Sequence, residues 1–433
     1  MSQLRKAQKV ILIILVFQII QSCKESKPVN QKDKNERTGY DMRIDLAPSR
    51  LTIAMWDFSW LYMHYQGGAY EDFDKVTDEL LERGFNTVRI DAFPLIIGKL
   101  DSVAQMITIP GDPLRNWGPS DRDRLHGLVN EFISFMEITK AKNINVILSS
   151  WGNGCSEFPD ILKGYTDKKI FWDAWEKTLD VLNERDLLSH IVYVDFDQEF
   201  PYFSPFQDEL NKLGNVQEEK KKSLVEPMEE AGKNSYGFER LKWNNAQMSF
   251  VRNLMNSTLA HFQQKYPQLR FTFSLTDFWK EVRALNLETF DVLELHFWMS
   301  ASQRFGNRSQ FGPLIKDRGE HDYSDYMRRI NQSMSSVRPM LLKDMHNRLA
   351  FAREWSDEIA APLVTTEAWG PWWHMDHKDL NWEFLYDWCA EGMKLATEYG
   401  LWGATPWNYS HPYWENWKNI QWYKQVNNNF MNN

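Results

Sequence analysis

Cysteine is scarce in this chain, and several other features that mark particular protein classes are also missing. Only 3 Cys occur among 433 residues, which excludes a disulfide framework, and none has metal-ligand spacing around it. Acidic residues outnumber basic ones by 59 to 50, for a net charge of −9, which argues against a nucleic-acid partner. There is no G-x-G-x-x-G or Walker A pattern, so we predict no nucleotide or other cofactor. The histidines of HMDHKD, His374 and His377, stand in a polar loop beside Asp376, where they are expected to be solvated or substrate-facing, so we predict no bound metal.

A long apolar run occurs only near the start of the chain. Three basic residues precede the apolar segment 10–20, which has the length of a signal peptide and is too short to span a bilayer. Residues 20–23, IQSC, resemble a bacterial lipobox, with Gln where a small residue is usual. We therefore predict a lipoprotein signal peptide over 1–22, lipidation of Cys23 with the membrane as a partner in the bacterial cell envelope, and a flexible tether over 23–47. The alternative is an ordinary secretory signal.

Beyond the tether, short apolar runs alternate with longer segments of helical periodicity, such as 121–142 and 382–399. This alternation indicates βαβ units and a parallel sheet, and eight such units favour one α/β domain over 48–433, a (β/α)8 TIM barrel. A doubly wound open sheet is the runner-up. The polar stretch Ser300–Arg338 is predicted to be a loop insertion on the face that carries the active site. The predicted strands are Leu51–Trp56, Asn86–Asp91, Asn145–Ser150, His190–Phe196, Arg270–Leu275, Val292–Trp298, Pro362–Thr366 and Leu401–Trp407.

Two glutamates stand at the ends of predicted strands and are followed by aromatic residues. Glu199 ends VYVDFDQE and Glu367 ends APLVTTE. Active-site residues of such barrels lie at the carboxyl ends of the strands, so we predict that this pair is catalytic. Carboxylates and indoles suit a carbohydrate substrate, although core packing is the rival explanation for the indoles. The other predicted substrate-binding residues at strand ends are Trp56, Asp57, Arg89, Trp151, Gln198, His296, Trp298, Trp369 and Trp407.

These residues, in this order, resemble the clan A glycoside hydrolases, and within them the cellulase-like proteins near family 5. The resemblance covers roughly residues 50 to 425. It implies that Glu199 is the acid/base on the fourth strand and that Glu367 is the nucleophile on the seventh. It also implies that Arg89 matches the arginine of the second strand. His296 and Trp407 match the family's histidine and tryptophan of the sixth and eighth strands.

Two positions depart from that family. Gln198 stands where the family has an Asn that contacts the sugar 2-hydroxyl, and Trp298 stands where it has a Tyr that supports the nucleophile. The resemblance implies a retaining hydrolase of β-linked glycans. In such an enzyme the two carboxyl groups stand about 5–5.5 Å apart, whereas about 6.5–9.5 Å would mean inversion. Two alternatives stay open: a sugar-binding protein without catalysis, and a lyase or dehydratase acting on acidic sugars.

The two glutamates need opposite protonation states for this chemistry. We expect an apolar wall, such as Phe200, Tyr202 or Phe203, to raise the pKa of Glu199. We expect Arg89 to keep Glu367 ionised through charge-assisted hydrogen bonds.

Overall fold

Eight parallel strands form the central sheet, and they coincide with the eight predicted apolar runs. The computed structural model describes residues 50–432 except 114, 116, 153–164, 222–242, 288–289, 300–313, 316–320, 375, 377 and 408–409. The predicted signal peptide, Cys23 and tether therefore lie outside the described residues. The strands are β1 (Leu51–Asp57), β2 (Thr87–Asp91), β3 (Asn145–Ser149), β4 (Ile191–Asp195), β5 (Phe271–Thr272), β6 (Leu293–Glu294), β7 (Leu363–Thr365) and β8 (Gly403–Ala404).

The sheet closes into a barrel between β5 and β6. Strand pairing runs continuously from β5 through β4, β3, β2, β1, β8 and β7 to β6. A parallel bridge then joins Leu275 to Leu295, with Leu275 donating to the Glu294 carbonyl at 3.1 Å and His296 donating to the Leu275 carbonyl at 2.9 Å. This closure confirms the predicted (β/α)8 barrel and excludes the open doubly wound sheet. The carboxyl ends of all eight strands therefore meet at one mouth.

Helices connect the strands, and several of them begin after a residue whose side chain caps the first turn. The side chains of Asp72, Asp167 and Asn244 each accept a hydrogen bond from the first turn of the helix that follows, which satisfies otherwise unpaired N–H groups. In the described part, no helix is long and apolar enough to span a membrane. The helices are Ser59–Tyr62, Phe73–Glu82, Pro94–Lys99, Leu128–Ala141, Lys168–Asn183, Gln207–Lys221, Asn245–Lys265, Trp279–Arg283, Tyr323–Ile359, Glu383–Glu398 and Ile420–Asn432.

One helix is much longer than its sequence suggests. We predicted a loop over Ser300–Arg338, but the second part of this stretch belongs to the helix Tyr323–Ile359. Tyr323, Tyr326 and Ile330 are buried along one face of it. Their spacing at i, i+3 and i+7 forms a narrow apolar stripe, which the many polar residues between them obscure. The prediction of a loop there was wrong for residues 323–338.

Candidate active site

Glu199 and Glu367, the predicted catalytic pair, lie together at the mouth of the barrel. One carboxylate oxygen of each and a ring nitrogen of His296 all lie within 4.8 Å of one another. Glu367 is fully buried, whereas 9% of Glu199 is exposed. Among the described residues this trio is the one group close enough to share a metal ion. Its donors and acceptors already form hydrogen bonds with one another and with Arg89.

The backbone at Glu199 is held in an uncommon conformation. Its φ is 52°, in the left-handed region that costs a non-glycine residue about 1–2 kcal/mol. Its amide donates to the Ser274 hydroxyl at 3.0 Å, and the preceding amide, of Gln198, donates to the Ser150 carbonyl at 2.8 Å. Bonds to residues just beyond β3 and β5 thus fix the turn that directs the Glu199 carboxylate. Left-handed residues held this way are common at functional sites.

The Glu199 carboxylate accepts two hydrogen bonds from the β6 side of the mouth. His296 Nδ1 lies 2.9 Å from Glu199 Oε1, and Trp298 Nε1 donates to the same oxygen at 3.1 Å. Burial alone would raise the pKa of Glu199. The hydrogen bond and positive charge of His296, together with the Trp298 indole, instead hold that pKa below its ordinary value.

We predicted a raised pKa for Glu199 from an apolar wall, and the structure contradicts this prediction. The aromatic residues that follow Glu199 are occupied elsewhere. Phe200 packs edge-on against Trp243, and the Tyr202 hydroxyl donates to Asp277 at 2.9 Å. Phe203 packs against Trp151 with a centroid distance of 4.5 Å. The groups that touch Glu199 are polar donors, and donors favour the ionised form of a carboxyl group.

Two of the described side chains donate hydrogen bonds to Glu367, and both bond the same carboxylate oxygen. Arg89 Nη2 donates to Glu367 Oε1 at 2.6 Å, and Gln198 Nε2 donates to the same oxygen at 2.5 Å. Burial raises the pKa of Glu367 to about 7, against the lowering effect of His296 and Arg89 and with a further rise from the charge of Glu199. The predicted contact between Arg89 and Glu367 is present, but it does not cancel the effect of burial. The charges of two carboxylates this close disfavour each other, so the pair titrates as a unit.

His296 is a buried cation between three carboxylates. Besides the bond to Glu199, its Nδ1 lies 3.6 Å from Glu367 Oε2 and its Nε2 lies 3.6 Å from Glu294 Oε1. Burial alone would lower the pKa of His296, but the surrounding carboxylates raise it to about 10. The predicted site residue is therefore a charged donor at neutral pH.

Arg89 organises the other side of the mouth. Its Nε and Nη2 donate to the two oxygens of Asp57 at 2.9 and 2.8 Å, and its Nη1 donates to the Thr366 hydroxyl. Such a two-pronged contact fixes the guanidinium plane. Because Asp57 contacts the arginine, it serves here as a support of Arg89.

Glu294 and Thr366 are two buried residues of this network that were not predicted. Glu294 Oε1 lies 3.6 Å from Arg89 Nη1 and accepts a hydrogen bond from the Thr366 hydroxyl. Alternation along a strand puts residues i and i+2 on the same face. Glu294 precedes His296 by two residues, so this rule applied to LELHF would have found it.

Arg348, from the long helix, was also missed. It is buried, and its Nη1 and Nη2 donate to the carbonyls of Trp298 and His296, both at 2.9 Å. Burial lowers the pKa of Arg348 to about 10. The arginine thus ties the helix to the two residues that contact Glu199. Its place among the charged residues of a helix gave no sign of this role.

The predicted tryptophans divide between the site and the core. Trp151 is at the site, where its indole N–H donates to Asp57 Oδ2 at 3.1 Å. Trp407 is buried, lies over Gly370 in the segment that follows Glu367, and packs edge-on against Trp382.

Trp56 and Trp369, which were also predicted to bind substrate, lie in the core and contact none of the catalytic residues through the hydrogen bonds described. Both are fully buried in the hydrophobic core. Their indole N–H groups donate to the carbonyls of Ser410, at 2.9 Å, and Thr405, at 3.0 Å. Trp369 also packs against Gly392, where a methyl group would collide with its ring. Trp56 lies within β1 and points to the opposite face from Asp57, because successive strand residues alternate. Trp369 lies beyond the end of β7.

Comparison with known proteins places this site in a family. The family model described as sugar-binding cellulase-like matches residues 53–431. The chain belongs to this family. The match covers most of the chain and confirms the resemblance to cellulase-like glycoside hydrolases inferred from the strand-end residues. Among curated protein sequences, none matches.

One solved structure shares the fold of this chain. A protein from Parabacteroides distasonis, provisionally assigned to the glycoside hydrolases, is 24% identical with a TM-score of 0.69, over 89% of this chain and 94% of its own. A β-glucosidase from Pyrococcus furiosus is 8% identical with a TM-score of 0.47, over 88% and 95%. A family 5 mannosidase from Rhizomucor miehei is 10% identical with a TM-score of 0.44, over 88% and 93%. At these identities, the similarity to the Parabacteroides distasonis protein supports the fold of this chain. No substrate is inferred for this chain from the glucosidase or the mannosidase.

Proposed function

We propose that this cellulase-like protein is a retaining glycoside hydrolase that cleaves a β-linked glycan, with Glu367 as nucleophile and Glu199 as acid/base. The observation that carries the proposal is the approach of the two carboxylates to within 4.8 Å at the mouth of the barrel. This approach is nearer to the separation of about 5–5.5 Å found in retaining enzymes than to the separation of about 6.5–9.5 Å found in inverting enzymes. The β-linkage is inferred from the resemblance to cellulase-like enzymes.

In this mechanism the unpaired oxygen of the nucleophile attacks the sugar. Glu367 Oε2 has no hydrogen-bond partner among the described residues and forms the bond to the anomeric carbon. The glycosidic C–O bond breaks, and its oxygen takes a proton from Glu199. Water, deprotonated by Glu199, then hydrolyses the glycosyl-enzyme ester and releases Glu367.

The acid proton has a source beside Glu199. His296 is protonated in the free site, and its Nδ1 lies 2.9 Å from Glu199 Oε1. In the free site the proton stays on His296, because the pKa of His296 is raised and that of Glu199 is lowered, and Glu199 takes it up only when a bound glycan changes these surroundings. Positive charge that develops on the anomeric carbon favours an ionised Glu367, so substrate and His296 together produce the pair of protonation states that the reaction needs.

The alternative of a lyase acting on acidic sugars finds less support. Such an enzyme needs a cation available to bind the sugar carboxylate. Within the described ranges, the cations that reach the catalytic pair are Arg89 and His296, and both are already bound to carboxylates. The alternative of sugar binding without catalysis is consistent with the departures Gln198 and Trp298, and product analysis separates it from hydrolysis.

A panel of β-linked oligosaccharides, followed by NMR of the first-formed products, tests the proposal. We expect hydrolysis of at least one glycan, with β-anomer product appearing first and mutarotating later. Release of the α-anomer first would contradict retention. Binding without any product would favour the non-catalytic alternative, and an unsaturated product that absorbs in the near ultraviolet would favour the lyase.

We further propose that the protein is anchored in the bacterial cell envelope by a lipid on Cys23. The sequence supports this through the apolar segment 10–20 and the lipobox-like IQSC. We expect Cys23→Ala to shift the protein from the membrane fraction to the soluble fraction and to remove incorporation of labelled palmitate. The matched control Cys389→Ala removes a buried thiol far from the leader in sequence and should leave both readouts unchanged. Full membrane association of Cys23→Ala would contradict lipid anchoring.

A further inference from the structure

The two oxygens of Glu367 have very different surroundings. Oε1 accepts hydrogen bonds from Arg89, at 2.6 Å, and from Gln198, at 2.5 Å. Oε2 has no hydrogen-bond partner among the described residues and lies 3.6 Å from His296 Nδ1. Two donors on one oxygen fix the rotation of the carboxylate. The oxygen left over is therefore held in one place.

The length of Gln198 makes its contact possible. Its backbone amide is fixed to the Ser150 carbonyl at 2.8 Å, so the reach of the side chain decides what it touches. The resembled family has Asn at this position, which is shorter by one methylene and so by about 1.5 Å. An Asn amide here would stop about 4 Å from Glu367 Oε1, beyond hydrogen-bond distance.

The orientation of the Gln198 amide is also determined. Its N–H faces a carboxylate, because the opposite orientation would place two acceptor oxygens against each other. Its carbonyl oxygen is buried and has no partner among the described residues. A buried oxygen without a partner lowers the free energy of unfolding by about 1–3 kcal/mol. The amide therefore keeps its contact with Glu367 although its carbonyl oxygen is left without a hydrogen bond to any described residue. A hydroxyl of a bound glycan could satisfy that carbonyl.

We propose that Gln198 is a positioning residue for the nucleophile: its amide and Arg89 together bind Glu367 Oε1 so that Oε2 is the attacking atom. This inference rests on the proposed function. In the first step the bond from Oε2 to the anomeric carbon forms, the glycosidic C–O bond breaks, and the leaving oxygen takes its proton from Glu199. Oε1 becomes the carbonyl oxygen of the ester, and it keeps both donors.

Kinetics of Gln198→Asn and Gln198→Leu test this role. We expect both variants to lower kcat by about 10- to 100-fold, because a misplacement of about 1 Å is enough for such a loss, with KM within about threefold. The decisive comparison is Gln198→Asn, which restores the residue of the resembled family. If Asn keeps kcat within about threefold of the wild type, or if KM rises while kcat holds, Gln198 contacts the sugar instead and the proposal is overturned.

A matched control shortens a buried glutamine away from the site. Gln247 is 8% exposed and closes the capping box at the start of the helix Asn245–Lys265. Gln247→Asn should lower thermal stability while kcat stays at the wild-type value. Circular dichroism and thermal unfolding of all three variants separate loss of fold from loss of positioning.

A second readout needs no turnover. Glutamate labelled with ¹³C at Cδ reports the titration of Glu367, whose signal is assigned by its absence in Glu367→Gln. Loss of a donor to the carboxylate should raise the titration midpoint in Gln198→Leu and in Gln198→Asn. An unchanged midpoint in both overturns the proposal. If the midpoint rises but the wild type hydrolyses no glycan, the proposed function fails while the positioning contact stands.

Discussion

Glu367→Gln is expected to abolish glycan hydrolysis while sugar binding remains. An amide of nearly the same shape keeps the contacts of the site but cannot form the glycosyl ester, so we expect kcat to fall by about 10⁴-fold or more, as when other nucleophiles are removed. Initial rates and calorimetric binding of the same glycan measure the two quantities. Glu131→Gln, which alters a partly buried glutamate at a helix start, is the control and should keep wild-type rates. Full activity of Glu367→Gln would contradict the assignment.

The same variant has an expected effect on stability that shows whether its fold is intact. The pKa of Glu367 is raised from 4.5 to about 7, so the folded state holds the proton more tightly than the unfolded chain. The resulting stabilisation is complete below about pH 4.5 and is lost as the pH rises through 7. At 1.36 kcal/mol per pH unit, the ionised carboxylate costs up to about 3 kcal/mol.

Glu367→Gln carries no such charge at any pH. We therefore expect it to be more stable than the wild type at pH 8, and the gain to shrink toward pH 5. Urea unfolding at both pH values measures the difference. A loss of stability at pH 8 would mean that the ion pair with Arg89 outweighs burial.

Glu199→Gln is expected to give the second-largest loss, and the loss should depend on the leaving group. A general acid contributes about 10²- to 10⁴-fold, so hydrolysis of an unactivated glycan should fall by that factor. The leaving oxygen of an aryl glycoside with an acidic phenol needs little protonation, so the rate of the first step should fall much less for such substrates. Rates for a series of phenols of decreasing pKa measure this dependence. An equal loss across the series would mean that Glu199 is not the acid.

Azide gives an independent test of the acid/base position. In Glu199→Ala, the space and the missing base should allow azide to attack the glycosyl-enzyme. We expect azide to accelerate turnover of an activated aryl β-glycoside and to yield the β-glycosyl azide. No acceleration, or an α-azide, would contradict the placement of Glu199 opposite Glu367.

The barrel was predictable because parallel strands buried on both faces are short and apolar and alternate with helical segments. All eight predicted runs contain observed strands, and the two glutamates follow the fourth and seventh of them. The helix Tyr323–Ile359 was not predicted in full, because its buried residues are separated by many polar ones. Tertiary packing of a narrow stripe outweighs local polarity there.

The site was predictable in its residues and less so in its contacts. Position at a strand end selected Glu199, Arg89 and His296 correctly as neighbours. It could not separate Trp151, which contacts Asp57, from Trp56, which faces the core, because one residue of offset reverses the direction of a side chain. The pKa values of Glu199 and Glu367 could not be predicted correctly from the sequence, because they depend on distances between side chains from different strands.

Covalent trapping of the intermediate tests the central claim most directly. A 2-deoxy-2-fluoro β-glycoside with an activated leaving group destabilises the positively charged transition states, and in a retaining enzyme it accumulates as the glycosyl ester. Mass spectrometry of the digested protein then locates the sugar. We predict one labelled peptide, with the sugar on Glu367, and no labelling in Glu367→Gln. A sugar attached to any other residue, or rapid turnover to an inverted product without labelling, would contradict the two-glutamate retaining mechanism.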